Sequence, residues 1–206
     1  MYPAQEVLLP ELRYRKNLLF LLSCIYNSQL QESQEKYWCL KYIREYQPAE
    51  LHYGHILIGN IGAVDRYEYR PVGDIVNTAT RIEGLNKYLK TQILVTKEVI
   101  TQLNGFFTRE IGNFMLAGKT KPVEIHELIC RLEESDERQT KAYSIFAMAV
   151  EAFRRKSWDE AIEGFQETID ILGNDGPSAF YIKLCEHYKE TVPGELWDGV
   201  IQMEKK

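Results

Sequence analysis

A chain of 206 residues, 45% hydrophobic and 27% charged, is an ordinary globular sequence with room for one full domain and an added piece. Its formal net charge of −5 leaves no electrostatic footprint for nucleic acid or for an anionic membrane surface. The four cysteines, Cys24, Cys39, Cys130 and Cys185, lack a C-x-x-C pair, so reduced thiols in a cytoplasm are expected, not a disulfide frame or zinc site.

Residues 1–47 form a helical N-terminal segment in this reading. Leu12, Leu18, Leu19, Leu22 and Ile25, then Leu30, Trp38, Leu40 and Ile43, predict two helices broken near Asn27 and Ser28. The apolar run 17–26 is too short to cross a bilayer and has no small-residue cleavage site, so neither a membrane segment nor a targeting segment is expected. Arg13, Arg15 and Lys16 read as solvated charges.

Residues 48–132 read as an α+β unit. Gly54 and Gly59 bracket His55, Ile56, Leu57 and Ile58, a run fit for a central strand, and a polar hairpin strand follows with Tyr67 and Tyr69 alternating with Glu68 and Arg70. Asp74 can cap a helix in which Ile75, Ala79, Ile82, Leu85 and Leu89 make one buried stripe. Asp74, Asn77 and Arg81 fall together on its flank, about one turn apart. An amide beside a guanidinium on a rigid helix suits a phosphate-like anion, although from the pattern alone ordinary surface polarity is the commoner explanation. A strand at 92–96 (QILVT), a short helix at 97–103 and an Asn104-Gly105 turn come next. Val123, Ile125 and Glu127 alternate with Glu124, His126 and Leu128, which predicts a half-exposed last strand. His52 and His55 point to opposite faces of a strand and cannot share a metal, and Asp65 reads as a turn residue.

Residues 133–139 (EESDERQ) contain no apolar side chain and are expected to be a charged linker. Two amphipathic helices follow within 140–190, one with Phe146, Ala149, Val150 and Phe153 on its stripe, the other with Ala161, Ile162, Phe165, Ile169 and Leu172. After 173–177 (GNDGP) a third helix is expected over 178–188, and residues 191–206 form an extended tail. Ala149, Ala152, Ala161 and Phe165 stand where a tetratricopeptide repeat places small residues and an aromatic. One such hairpin cannot cover its own faces, so it must pack on its neighbour or on a partner chain.

The stretch GNIGAVDRYEYRPVGDIVNTATRIEGL resembles the second half of the class III nucleotidyl (adenylate and guanylate) cyclase catalytic domain. Gly59 and Gly62 match the family's G-x-x-G, and Gly73, Asp74, Val76, Asn77, Ala79, Arg81 and Glu83 match its G-D-x-V-N-x-A-x-R-x-E. IGNFMLAGKTKPVEIHEL is similar to the family's closing L-x-G-K-x-x-P-V-x-V-Y-E-L, and the wording is nearest to bacterial members. The fold implied is a partial class III cyclase (ferredoxin-like) sheet-and-helix domain, comprising its C-terminal half, with a C-terminal all-α, tetratricopeptide-like extension.

The resemblance implies a chemistry in which the ribose 3′-oxygen of ATP or GTP attacks the α-phosphate and pyrophosphate leaves. In the family two aspartates of one subunit hold Mg or Mn, and an asparagine and an arginine of the other complete the site. By resemblance Asn77 orients the ribose, Arg81 stabilises charge on the α-phosphoryl group, and Lys119 contacts the triphosphate. Asp74 belongs to the same nucleotide-binding motif. Arg70 stands where adenylate cyclases carry a base-reading Asp or Thr; it can donate to guanine O6 or pair with Glu68 or Asp74, so the base stays open. No aspartate precedes Asp65, so the metal ligands are absent from the expected region. The implied protein is a truncated cyclase of the cytoplasm, inactive alone, whose partner is a second copy or a complete cyclase subunit. The alternative is a pseudo-cyclase scaffold that binds a protein through its helical tail.

Overall fold

The computed structural model describes residues 49–52, 57–63, 66–72, 74–101 and 103–203. The expected N-terminal helices, the Arg13, Arg15 and Lys16 cluster, Cys24, Cys39, His55 and Asp65 lie outside the described residues. In chain order the elements are β1 (Ala49–Leu51), β2 (Leu57–Ala63), β3 (Arg66–Val72), α1 (Asp74–Leu89), β4 (Ile93–Thr96), α2 (Lys97–Ile100), β5 (Phe106–Met115) and β6 (Val123–Arg131). A 3-10 turn (Leu132–Glu134), α3 (Glu137–Arg154), α4 (Trp158–Leu172), α5 (Gly176–Glu190) and β7 (Ile201–Gln202) complete the chain.

The main sheet has five strands in the order β1-β4-β6-β5-β7, with β1 parallel to β4, β7 parallel to β5, and the inner pairs antiparallel. β2 and β3 form a separate antiparallel hairpin that sets Gly59 opposite Arg70 and Gly62 opposite Tyr67. The fold is thus α+β, and α1 packs on β1 and β4. The period of the sequence carries through to packing here, because Ala79, Ile82, Leu85 and Leu89 are all buried.

β6 is not a half-exposed last strand. It runs between β4 and β5, Leu128 is buried, and Glu127 is buried with it. Glu127 tolerates this position because its register partner is Arg109 on β5, whose Nε donates to Glu127 Oε2 at 2.7 Å. Arg109 Nη2 donates to Asp175 Oδ1 at 2.6 Å, and the guanidinium lies 4.4 Å and 4.7 Å from the ring centres of Tyr143 and Phe146. One buried cation therefore joins two strands to α3 and to the start of α5.

The charged stretch at 133–139 is structured. Asp136 caps α3 by accepting from the Gln139 amide at 2.6 Å. The helices beyond it share a single hydrophobic core with the sheet, since Ile82, Leu89, Ile111 and Phe114 cluster with Phe146, Phe153, Phe165 and Tyr181. The small residues expected for helix pairing are where α3 meets α4: a Cβ built on Gly164 would come within 2.9 Å of the Ala149 Cβ. Tyr181 is wholly buried, stacks on Phe165 at 4.8 Å, and donates its hydroxyl to the Ile111 carbonyl at 2.7 Å.

The last residues are not simply extended. Trp197 Nε1 donates to the Val200 carbonyl at 3.0 Å, Val200 and Ile201 are buried, and Met203 donates to Met115. The resulting β7 covers the edge of β5. Cys130 and Cys185 are both buried, and burial pushes the Cys185 thiol up to about 12, which leaves it inert at neutral pH.

Gly176 opens α5 hard against the end of α1, where an added Cβ would lie 1.8 Å from the Leu89 carbonyl oxygen. Gly176→Ala must therefore push two helices apart. We expect it to cost about 2 kcal/mol or more, within the range for overpacked cores, measured by urea denaturation followed through the helical signal.

Candidate functional site

α1 begins at Asp74, and the Thr78 hydroxyl donates to the Asp74 carbonyl at 2.8 Å. Asn77 is exposed and Arg81 half-buried on this first part of the helix. The turn joining β5 to β6 comes to the same place. It is closed by the Lys119 amide donating to the Leu116 carbonyl at 3.0 Å, and Gly118 takes the left-handed conformation at φ +70°. A Cβ on Gly118 would lie 3.0 Å from Arg81 Nη2 and 3.3 Å from Nη1, so the guanidinium rests against the bare backbone of the turn. Absence of a side chain at this position is what allows the approach.

Lys119 Nζ donates to Asp74 Oδ2. That bond, with Arg81 adding its charge, holds the Asp74 carboxyl below the usual carboxylate range. The cap expected of Asp74 is thus not the interaction the structure gives its carboxylate. On the sheet side, His52 Nδ1 and Thr96 Oγ1 are 3.0 Å apart, and burial, opposed by Glu98, pushes the imidazole below its ordinary value. His52 is therefore neutral at pH 7 and adds no charge. Two cations facing one carboxylate leave the helix start with a net positive charge, to which the helix dipole adds. Such a place suits an anion.

Of the residues singled out by sequence, Asp74, Asn77 and Arg81 lie on one helix, and Lys119 is brought to Asp74 and Gly118 to Arg81 by the β5–β6 turn. Arg70 lies in β3 opposite Gly59, and its side chain is outside the described residues. Sequence reasoning missed His52 as a neighbour of this cluster, and nothing local in the sequence marks it. It also missed the Arg109–Glu127–Asp175 network. A signal existed there: Arg109 shares a strand phase with Ile111, and Glu127 shares one with Ile125, so a cation and an anion stand on the apolar faces of two strands.

Among the described residues no three His, Cys, Asp or Glu side chains converge in a way that could hold a metal ion. Asp74, the carboxylate of the cluster, is bonded to an ammonium group. This donor set does not fit a divalent cation.

Residues 50–153, half of the chain, match the family of the adenylate and guanylate cyclase catalytic domain. The chain belongs to that family. It is 33% identical over 138 residues to the terminal-differentiation specific adenylate cyclase of Dictyostelium discoideum, covering 64% of this chain and 6% of that protein. It is 32% identical over 80 residues to adenylate cyclase 1 of Rhizobium meliloti, covering 38% of this chain and 12% of the relative. Over 82 residues it is 34% identical to an adenylate cyclase of Anabaena cylindrica, covering 38% and 16% respectively. The chain thus spans only a small part of the length of these relatives. Among solved structures it is similar to the adenylyl cyclase CyaB from P. aeruginosa, at 25% identity and a TM-score of 0.34, covering 42% of this chain and 41% of that one. The family uses nucleoside triphosphates with divalent metal. Among the described residues no helix is long and apolar enough to cross a membrane.

Proposed function

We propose that this chain supplies the asparagine–arginine half of a two-subunit site that converts a nucleoside triphosphate to a cyclic nucleotide and pyrophosphate. The observation that carries the reading is the convergence of Arg81 and Lys119 at the start of α1, with Asn77 exposed one turn before Arg81. In the reaction a bond forms between the ribose 3′-oxygen and the α-phosphorus, the bond from that phosphorus to the bridging oxygen breaks, and the 3′-hydroxyl loses its proton. Negative charge gathers on the α-phosphoryl and leaving oxygens. Arg81 donates to the first from a planar fork held against the turn, Lys119 meets the β- and γ-phosphates, and Asn77 fixes the ribose. Asp74 borders this surface, and by resemblance Arg70 stands at the base-reading position and leaves the base open.

The carboxylates that hold Mg or Mn belong, in this proposal, to the other subunit, either a second copy of the family's domain or a complete cyclase. The site works where ATP and GTP are abundant, in the cytoplasm. The apolar stripes of α3 and α4 are buried within this chain's own core, which gives no support to partner capture through them.

Two assays test the reading. The chain alone, given ATP or GTP with Mn²⁺, should show no metal-dependent turnover. Mixed with a class III cyclase whose own transition-state arginine has been replaced, it should restore cyclic nucleotide synthesis. Turnover by the chain alone would refute the division of labour, and a silent mixture would refute the role.

A further inference from the structure

The anion site at the start of α1 already contains an anion, and it belongs to the chain itself. Asp74 is the first residue of the helix, its side chain is 74% exposed, and its carboxylate accepts from Lys119 Nζ. Lys119 is only 17% exposed in that pair. The ammonium is thus turned inward onto the helix start; Arg81 is the further cation acting on Asp74, and His52 stands on the sheet side with Glu98 facing it.

Resting on the reading that Lys119 and Arg81 take the triphosphate, the geometry points to Asp74 as a built-in competitor of the substrate's phosphates. While the pair is closed, Lys119 donates to Asp74, and a carboxylate stands where the incoming phosphate charge would stand. A polyphosphate that engages Lys119 must break this bond and must also tolerate Asp74 nearby. Asp74 therefore tunes affinity. It weakens the hold on triphosphate and on the pyrophosphate product, which shares the same charge, so it favours product release. The closed pair also keeps Lys119 ordered and in place between turnovers. Asp74 is a positioning residue and touches no reacting atom in this role.

The test uses the full chain and inorganic tripolyphosphate as the probe, titrated calorimetrically. Wild type should bind. Asp74→Asn, which keeps the side chain's size and suits a helix start, should bind about two- to fivefold tighter, the scale of an exposed ion pair. The gain should vanish in the double variant Asp74→Asn/Lys119→Met, because the effect runs through Lys119. It should also shrink at about 1 M salt, where the Debye length falls to about 3 Å. Asp74→Ala serves as a second variant, and equal thermal transitions exclude a folding effect. Unchanged or weaker binding by Asp74→Asn, with Lys119→Met still impaired, overturns the inference and leaves the site reading intact. Binding that is absent in wild type, or indifferent to Lys119→Met, overturns the site reading and the inference with it.

Discussion

Arg81→Ala is expected to lower the activity restored in the mixed-subunit assay by about a hundred- to a thousandfold, the usual loss when one transition-state donor is removed. Its place explains the size. The guanidinium lies against the backbone of a turn whose Gly118 leaves room for it, so the donor is held before substrate arrives. Arg81→Lys should recover little, since an ammonium has neither the planar fork nor the reach to keep that contact. Arg155→Ala makes the control: Arg155 is exposed and paired with Glu160, away from α1, and the rate should not change. A loss for Arg81→Ala of less than about threefold would mean the arginine is bystander polarity on a helix surface.

Arg109→Ala should destabilise the folded chain by about 3–5 kcal/mol, because it leaves the Glu127 and Asp175 carboxylates buried without their cation. On a chain of this size that corresponds to a fall in Tm of about 10 °C. Burial alone does not predict the outcome, since a well-packed apolar triad in the same volume can match or exceed an ion network. The single substitution is severe because it removes one partner out of three. Asp175 also accepts from the Ser178 amide at 2.9 Å and so caps α5, which means the loss should spread from the sheet to the helices as one transition. Denaturation followed by both the helical signal and the aromatic signal checks this. Coincident midpoints, both lowered, are expected. Separate midpoints, or a loss below about 1 kcal/mol, would show that the helices stand apart from the sheet.

What could be read from sequence was periodic and local. The stripe of Ala79, Ile82, Leu85 and Leu89 and that of Phe146, Ala149, Val150 and Phe153 are buried as their spacing required. The strand β3 follows from its alternating polarity, whereas the central strand expected between Gly54 and Gly59 is not central: Leu57 and Ile58 open β2, Gly59 lies inside it, and β2 pairs only with β3, apart from the main sheet. Thr168, not Ile169, is the wholly buried residue of α4's last turns, since its hydroxyl is satisfied by the Gly164 carbonyl at 2.9 Å. Reading failed where distant chain segments meet. The pairing of Glu127 with Arg109 emerges only when β5 is set beside β6, and residues after 190 looked like tail until Val200 and Ile201 found the edge of β5. Lys119 and Asp74 are 45 residues apart, and only the course of the sheet brings the turn over the helix start. The candidate residues were therefore visible as a motif, while the ionic linkage between Asp74 and Lys119 was not.

On the proposed function, the start of α1 and the β5–β6 turn make one phosphate-binding surface. Side-chain NMR of the intact chain during titration with a non-hydrolysable nucleoside triphosphate analogue tests it most directly. Shifts that saturate together at the Asn77 amide, Arg81 Nε–H and the Lys119 side chain are expected, and none at Arg155. Saturating shifts elsewhere with these three unmoved would contradict it.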